Sequence, residues 1–171
     1  MKEIKAIETV YKNCKFRSRL EARYAVFMDV LGINWVYELE GYELQSGRYL
    51  PDFYLPSFEG GSFAEVKFKF NEKEIQLCRE LCMMTNKSVI LFEGMPDSKV
   101  YNYFWMDGEL IVRENCGIPN ADQAEKEDRM YAEPGYESMD GFIRGHVLDC
   151  LGDNYLEAVT RAKMARFEFI R

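Results

Sequence analysis

Leu20, Tyr24, Phe27 and Leu31 recur at i, i+4, i+7 and i+11, an apolar stripe that predicts a helix over about 19–31. Ser18 followed by Glu21 reads as a capping box at its start, and Gly32 as its stop. The segments WVYELEGYEL (35–44) and RYLPDFYL (48–55) are rich in β-formers and predict an antiparallel meander, with Pro51 calling for an edge position or a bulge. FAEVKFKF (63–70) alternates strictly. Ala64, Val66, Phe68 and Phe70 fall on one face, and Glu65, Lys67 and Lys69 on the other, so a half-polar central strand is expected. A second helix over about 72–85, with Ile75, Cys78, Leu81 and Cys82 on one side, leads into the apolar strand SVILF (88–92). KVYNYFWM (99–106) and ELIVRE (109–114) flank Asp107-Gly108, a strong hairpin signal. Two helices, about 141–151 and 155–167, are predicted to finish the chain. The length fits one domain over 1–171, and the elements are of both kinds, an α/β chain.

Composition narrows the class. With 47% hydrophobic and 15% aromatic residues in 171, the chain can build a core, which excludes disorder. No apolar run approaches the roughly 18 residues of a membrane span, and the first residues lack the apolar stretch of a signal peptide. Five Cys at irregular spacings do not form a secreted disulfide framework, so a cytoplasmic location is expected.

The net charge of −7 argues at first against binding a polyanion, but the charge is unevenly distributed. Residues 1–23 carry a net +4, residues 154–171 a net +2, and residues 107–140 a net −7. The acidic excess is therefore confined to one segment, read as an extended loop or arm over 115–140, and both ends are basic.

Four residues carry the candidate chemistry. The period-2 rule sets Glu65 and Lys67 side by side, and the short connection 56–62 folds Asp52 back beside Glu65. Glu21 is added from the first helix. Carboxylates in such a patch suit Mg²⁺, which takes hard oxygen ligands, and a neighbouring ammonium can stabilise charge developing on a phosphoryl group. Each residue also has a plainer reading. Glu21 completes the capping box or pairs with Arg17, Asp52 is a turn residue after Pro51, and Glu65 and Lys67 are the solvated face of a half-buried strand. Cys78 and Cys82 read as core and His146 as structural. Tyr101, Tyr103, Phe104 and Trp105 read as sheet core that could also stack on bases. The five cysteines do not match an iron–sulfur ligand pattern.

Glu21…Pro51-Asp52…Glu65-Val66-Lys67, on helix, strand and strand, resembles the PD-(D/E)XK nuclease superfamily. FRSRLEARYAVFMDVLGINWVYELEGYEL, RYLPDFYLP and AEVK look like the N-terminal half of its small phage-encoded members, and AKMARFEF (162–169) is similar to their C-terminal helix. The resemblance is tightest over 16–70, weaker through 71–106, and does not extend to 107–140. It implies a restriction-endonuclease-like core with an N-terminal helix, a meander, a strand–helix–strand unit and C-terminal helices. It further implies that Asp52 and Glu65 ligate Mg²⁺ or Mn²⁺ with the Val66 carbonyl, that Glu21 does so directly or through water, and that Lys67 is the catalytic lysine. Gln76, on the following helix, is the candidate for an assisting polar residue. DNA is the implied substrate, with Lys15, Arg17, Arg19, Arg23 and Lys69 as candidate phosphate contacts. A nuclease selective for branches or ends differs from this only in substrate. The alternative is a catalytically silent nuclease fold that binds a host or phage nucleic-acid enzyme through its acidic segment, 107–140.

Overall fold

The computed structural model describes residues 6–57, 60–96, 99–106, 109–116 and 151–167. The Asp107-Gly108 turn, the acidic segment beyond 116, most of the helix predicted over 141–151, and His146 lie outside them.

The chain begins with a hairpin that the hydrophobic pattern did not reveal, β1 (Thr9–Tyr11) and β2 (Cys14–Phe16). Lys12 and Asn13 both have positive φ (48° and 62°), the geometry of a two-residue turn whose twist matches its flanking strands. At its end Phe16 is fully buried, with its ring 4.5 Å from that of Tyr37, 5.7 Å from Trp35 and 6.1 Å from Phe53. Full burial of such a side chain contributes roughly 1.5–3 kcal/mol.

Helix α1 (Arg19–Val30) follows the apolar stripe, with Tyr24, Phe27 and the capping Leu31 buried. Gly32 takes φ 70° just beyond the cap and donates its N–H to the Asp29 carbonyl, ending the helix as expected.

The two predicted meander strands are each broken in two. β3 (Val36–Tyr37) pairs with β6 (Phe53–Leu55), whereas β4 (Tyr42–Leu44) and β5 (Gly47–Tyr49) form a separate hairpin. The first break follows Glu38, whose left-handed backbone (φ 47°) turns the chain off the sheet while its N–H donates to the Asp52 carbonyl. Ser46, in the turn of the detached hairpin, is held by the Glu80 carboxylate through its N–H (2.8 Å) and hydroxyl (2.5 Å). Pro51 marks neither an edge nor a bulge. It is buried just ahead of β6, which lies inside the sheet between β7 and β3, so its missing N–H falls outside the ladder.

β7 (Ser62–Lys67), α2 (Glu72–Thr85) and β8 (Val89–Glu93) form the expected strand–helix–strand unit, with β7 and β8 parallel. Asn71 and Glu74 close a reciprocal capping box on α2. β9 (Lys99–Met106) and β10 (Glu109–Cys116) pair antiparallel and complete a six-stranded sheet in the order β10-β9-β8-β7-β6-β3. Helix α3 (Leu151–Met164) covers the predicted start and ends three residues sooner than predicted. The class is therefore mixed α/β, with three helices among the described residues. None of these is long and apolar enough to cross a membrane.

Two apolar clusters sandwich the sheet. Ala64, Val66, Ile90 and Phe92 pack with α1 and α3, while Phe63, Val89 and Leu91 pack with Cys78, Leu81 and Cys82 of α2. β7 is thus covered on both faces, which corrects the expectation of a half-polar strand. The alternation also stops at Lys67, because the chain bends there. Phe68, expected in the core, is 80% exposed, and Phe70 packs on the α2 side instead.

Candidate active site

Glu65 lies on the α2-facing side of a doubly covered strand, which explains why a carboxylate is only 3% exposed. Asp52 is fully buried at the start of β6. A backbone cross-link ties the two. The Asp52 N–H donates to Glu65 Oε2 (3.1 Å), and the Val66 N–H donates to Asp52 Oδ2 (2.9 Å). The Tyr49 hydroxyl, from the detached hairpin, donates to the same Glu65 oxygen (2.8 Å). With Oε2 held twice, Oε1 faces Lys67, whose Nζ lies 2.5 Å away and 3.5 Å from Asp52 Oδ2. The antiparallel β6–β7 register brings these residues together, so the predicted trio of Asp52, Glu65 and Lys67 forms one cluster.

Electrostatics follow from that burial. Desolvation, reinforced by the charge of Glu65, raises the Asp52 carboxyl from the ordinary carboxylate range to about 7, against the opposing pull of Lys67. Burial alone lowers the Lys67 pKa, but Asp52 and Glu65 outweigh it and the net shift is upward. Lys67 is thus held as an ammonium and can stabilise or orient an anion rather than accept a proton.

Glu21 is buried, but its oxygens are engaged elsewhere. Oε2 accepts from the Tyr37 hydroxyl (2.6 Å) and the Arg17 N–H (3.1 Å), and Oε1 from the Ser18 hydroxyl (2.6 Å). Ser18 Oγ in turn accepts from the Glu21 N–H, so the cap exists in a variant form that reaches back to Arg17 rather than to the N–H of Ser18. Glu21 therefore borders the cluster as a capping residue whose charge still acts on Asp52. Gln76 does not join the cluster. Its side chain is exposed and donates to Glu80, one turn along α2.

The basic candidates divide. Arg17 bridges Asp52 Oδ1 (2.9 Å) and Glu38 Oε1 (2.5 Å). Lys15 pairs with Glu8 on the surface, and Lys69 is exposed on the bend after Lys67. Arg19 is half-buried at the first position of α1. Arg23 is committed to the fold, because its guanidinium donates to the carbonyls of Ala162 and Lys163 in the last turn of α3. Both carbonyls belong to the last turn of α3, so Arg23 fastens α3 to α1. Arg23→Met is expected to lower stability by about 1–3 kcal/mol in urea unfolding, and any DNA affinity of the folded protein is expected to stay unchanged. A loss of DNA affinity without a loss of stability would return Arg23 to the phosphate contacts.

An open cleft of about 640 Å³ lies beside the cluster, lined by Arg17, Tyr42, Arg48, Tyr49, Glu65 and Lys67 among others. Arg48, Tyr42 and Tyr49 come from the detached hairpin and were not foreseen. The contact of Tyr49 with Glu65 and the place of Arg48 and Tyr42 in the cleft wall depend on where the hairpin packs, for which the sequence carries no periodic signal. Cys78 lies 3.3 Å from the Tyr49 hydroxyl, and burial pushes its thiol up to about 12, so it is inert core. Cys14 packs on the α1 side of the sheet and Cys78 and Cys82 on the α2 side, so these three do not share a cluster site.

The donor chemistry fits a hard divalent cation. Asp52 and Glu65 present two interlocked carboxylates, and Mg²⁺ commonly takes one or two, filling its sphere with water and substrate phosphate. Among the described residues no three acid, His or Cys side chains converge into a ready-made cage. Asp52 and Glu65, with the adjoining Val66 carbonyl, are thus the residues that could hold the ion.

No protein-family model, curated protein or solved structure matches the chain.

Proposed function

We propose that the chain is a Mg²⁺- or Mn²⁺-dependent nuclease of restriction-endonuclease-like fold that hydrolyses phosphodiester bonds in DNA. One observation carries the reading. Asp52 and Glu65 are buried, cross-linked through each other's backbone, and share the Lys67 ammonium at the wall of an open cleft. Burying two carboxylates costs several kcal/mol unless they are compensated, and such arrangements concentrate at functional sites. The order of Asp52, Glu65 and Lys67 on two adjacent antiparallel strands adds to the support.

In this reading Asp52 and Glu65 hold the cation, which supplies an acidified water and charge on a phosphoryl oxygen. Lys67 remains protonated and stabilises the anionic phosphorane. Tyr49 and the Asp52 N–H keep Glu65 Oε2 turned inward, leaving Oε1 on the side of Lys67. Arg48 and Lys69, both exposed, supply positive charge for the DNA backbone.

The test is direct. Purified protein with Mn²⁺ is expected to cleave at least one of linear, circular, single-stranded and branched DNA, with EDTA and Asp52→Asn each abolishing the product. Cleavage of none of the four discards the reading.

One observation favours a second reading, that of a silent nuclease fold acting through a partner. Both Asp52 oxygens are already engaged, Oδ1 by Arg17 and Oδ2 by Val66 and Lys67. That reading expects no metal-dependent cleavage, and loss of partner binding when 115–140 is deleted.

A further inference from the structure

Arg17 follows β2 directly and precedes the Ser18 cap of α1. Its backbone N–H is fixed by Glu21 Oε2 and by the Tyr37 hydroxyl (3.1 and 3.0 Å). The guanidinium reaches past this anchor to two acids, Nη2 to Asp52 Oδ1 and Nε to Glu38 Oε1. The pair with Asp52 is lopsided. Asp52 is fully buried, whereas the Arg17 side chain is 54% exposed and lines the cleft, so it stands between that carboxylate and solvent. Glu38 offers a second hold, and its N–H rides on the Asp52 carbonyl (2.9 Å). The guanidinium can therefore release Asp52 Oδ1 and remain on Glu38, with only its side-chain torsions turning. The backbone does not need to move.

We propose that Arg17 and the divalent cation are alternative occupants of Asp52 Oδ1, Arg17 neutralising the carboxylate in metal-free protein and retreating onto Glu38 when the cation binds. The inference rests on the metal-dependent reading above. Two cations on one buried oxygen repel, and Arg17, unlike Lys67, has an acid outside the Asp52–Glu65 pair to move onto. Metal affinity is then reduced by this competition, and a freed guanidinium is left beside the bound ion, facing the cleft.

The full chain is titrated with Mn²⁺ by calorimetry, as wild type, Arg17→Met and Lys15→Met, and wild-type crystals are soaked in Mn²⁺. Arg17→Met is expected to bind Mn²⁺ at least about fivefold more tightly than wild type, because a direct competitor is gone. Lys15→Met makes the same charge change two residues away and is expected to stay within about twofold, as for a screened surface charge. In the soaked crystal the guanidinium is expected beyond about 4 Å from Asp52 Oδ1, outside ion-pair range. Mn²⁺ seated on Asp52 with the Arg17 pair intact overturns the exchange, as does equal affinity in all three proteins. Mn²⁺ bound by none of them overturns the metal reading as well. If Arg17→Met fails to fold, the wild-type crystal decides alone.

Discussion

Lys67→Met is expected to cut the metal-dependent cleavage rate by about a hundredfold or more, the usual scale for removing one preorganised charge from a phosphoryl or acyl transition state. The ammonium sits 2.5 Å from Glu65 and 3.5 Å from Asp52, and both acids keep it charged. On the proposed nuclease reading it is therefore available as a cation to developing negative charge near neutral pH. The same position makes it a counter-ion, and stripping one partner from a buried pair can cost about 3–5 kcal/mol. That cost is reduced here because the Asp52 carboxyl, already at about 7, can take up a proton in place of the lost charge. The variant is thus expected to remain folded at pH 6 and to weaken as the pH rises. Single-turnover cleavage with Mn²⁺, beside circular dichroism at both pH values, checks the two effects separately. Cleavage at the wild-type rate by folded Lys67→Met removes Lys67 from the mechanism.

The second large effect is in stability against pH. In the unfolded chain Asp52 loses its proton near the ordinary 3.8, and in the folded protein near 7. Between these values the native state binds the extra proton, so stability falls as pH rises. For metal-free protein the expected result is a decline across pH 4 to 7, at most about 1.4 kcal/mol per pH unit from this group, levelling above pH 8. Asp52→Asn has no such proton to lose and is expected to give a flatter profile. On the proposed metal reading, saturating Mn²⁺ is expected to reverse the sign, because a cation favours the ionised carboxylate and protons then compete with it. Urea unfolding from pH 5 to 8, with EDTA and then with Mn²⁺, measures both curves. A metal-free protein that becomes more stable through this window, with Asp52→Asn following it, shows that Asp52 is not destabilised by its burial.

Burial also explains where reading the sequence succeeded and where it failed. Helix α1 was legible because its stripe and Ser18 cap are local, and α2 and β8 because the period changes from helix to strand within a few residues. Phe68 was misread because alternation says which side a residue takes only while the strand lasts, and this strand ends at Lys67. The segment 35–44 was misread because β-propensity does not register the single left-handed residue, Glu38, that diverts the chain. Among the phosphate candidates, the structural partners of Arg23 could not be foreseen, because the carbonyls of Ala162 and Lys163 lie about 140 residues away in sequence.

The sequence by itself determined α1, α2 and the strand–helix–strand unit, and the members of the cluster, since the alternation 65–67 and the short return from 55 to 62 bring Asp52, Glu65 and Lys67 together. What the cluster is like was decided only by tertiary packing. Helices cover both faces of the sheet, so side chains that the pattern assigns to water are desolvated, Asp52 is raised to about 7, and Lys67 is kept charged. Packing also brought in Tyr49 and Arg17, which hold Glu65 and Asp52 across 16 and 35 residues. Periodicity reports only on neighbours along the chain, whereas desolvation and charge pairing depend on everything that surrounds a group in space.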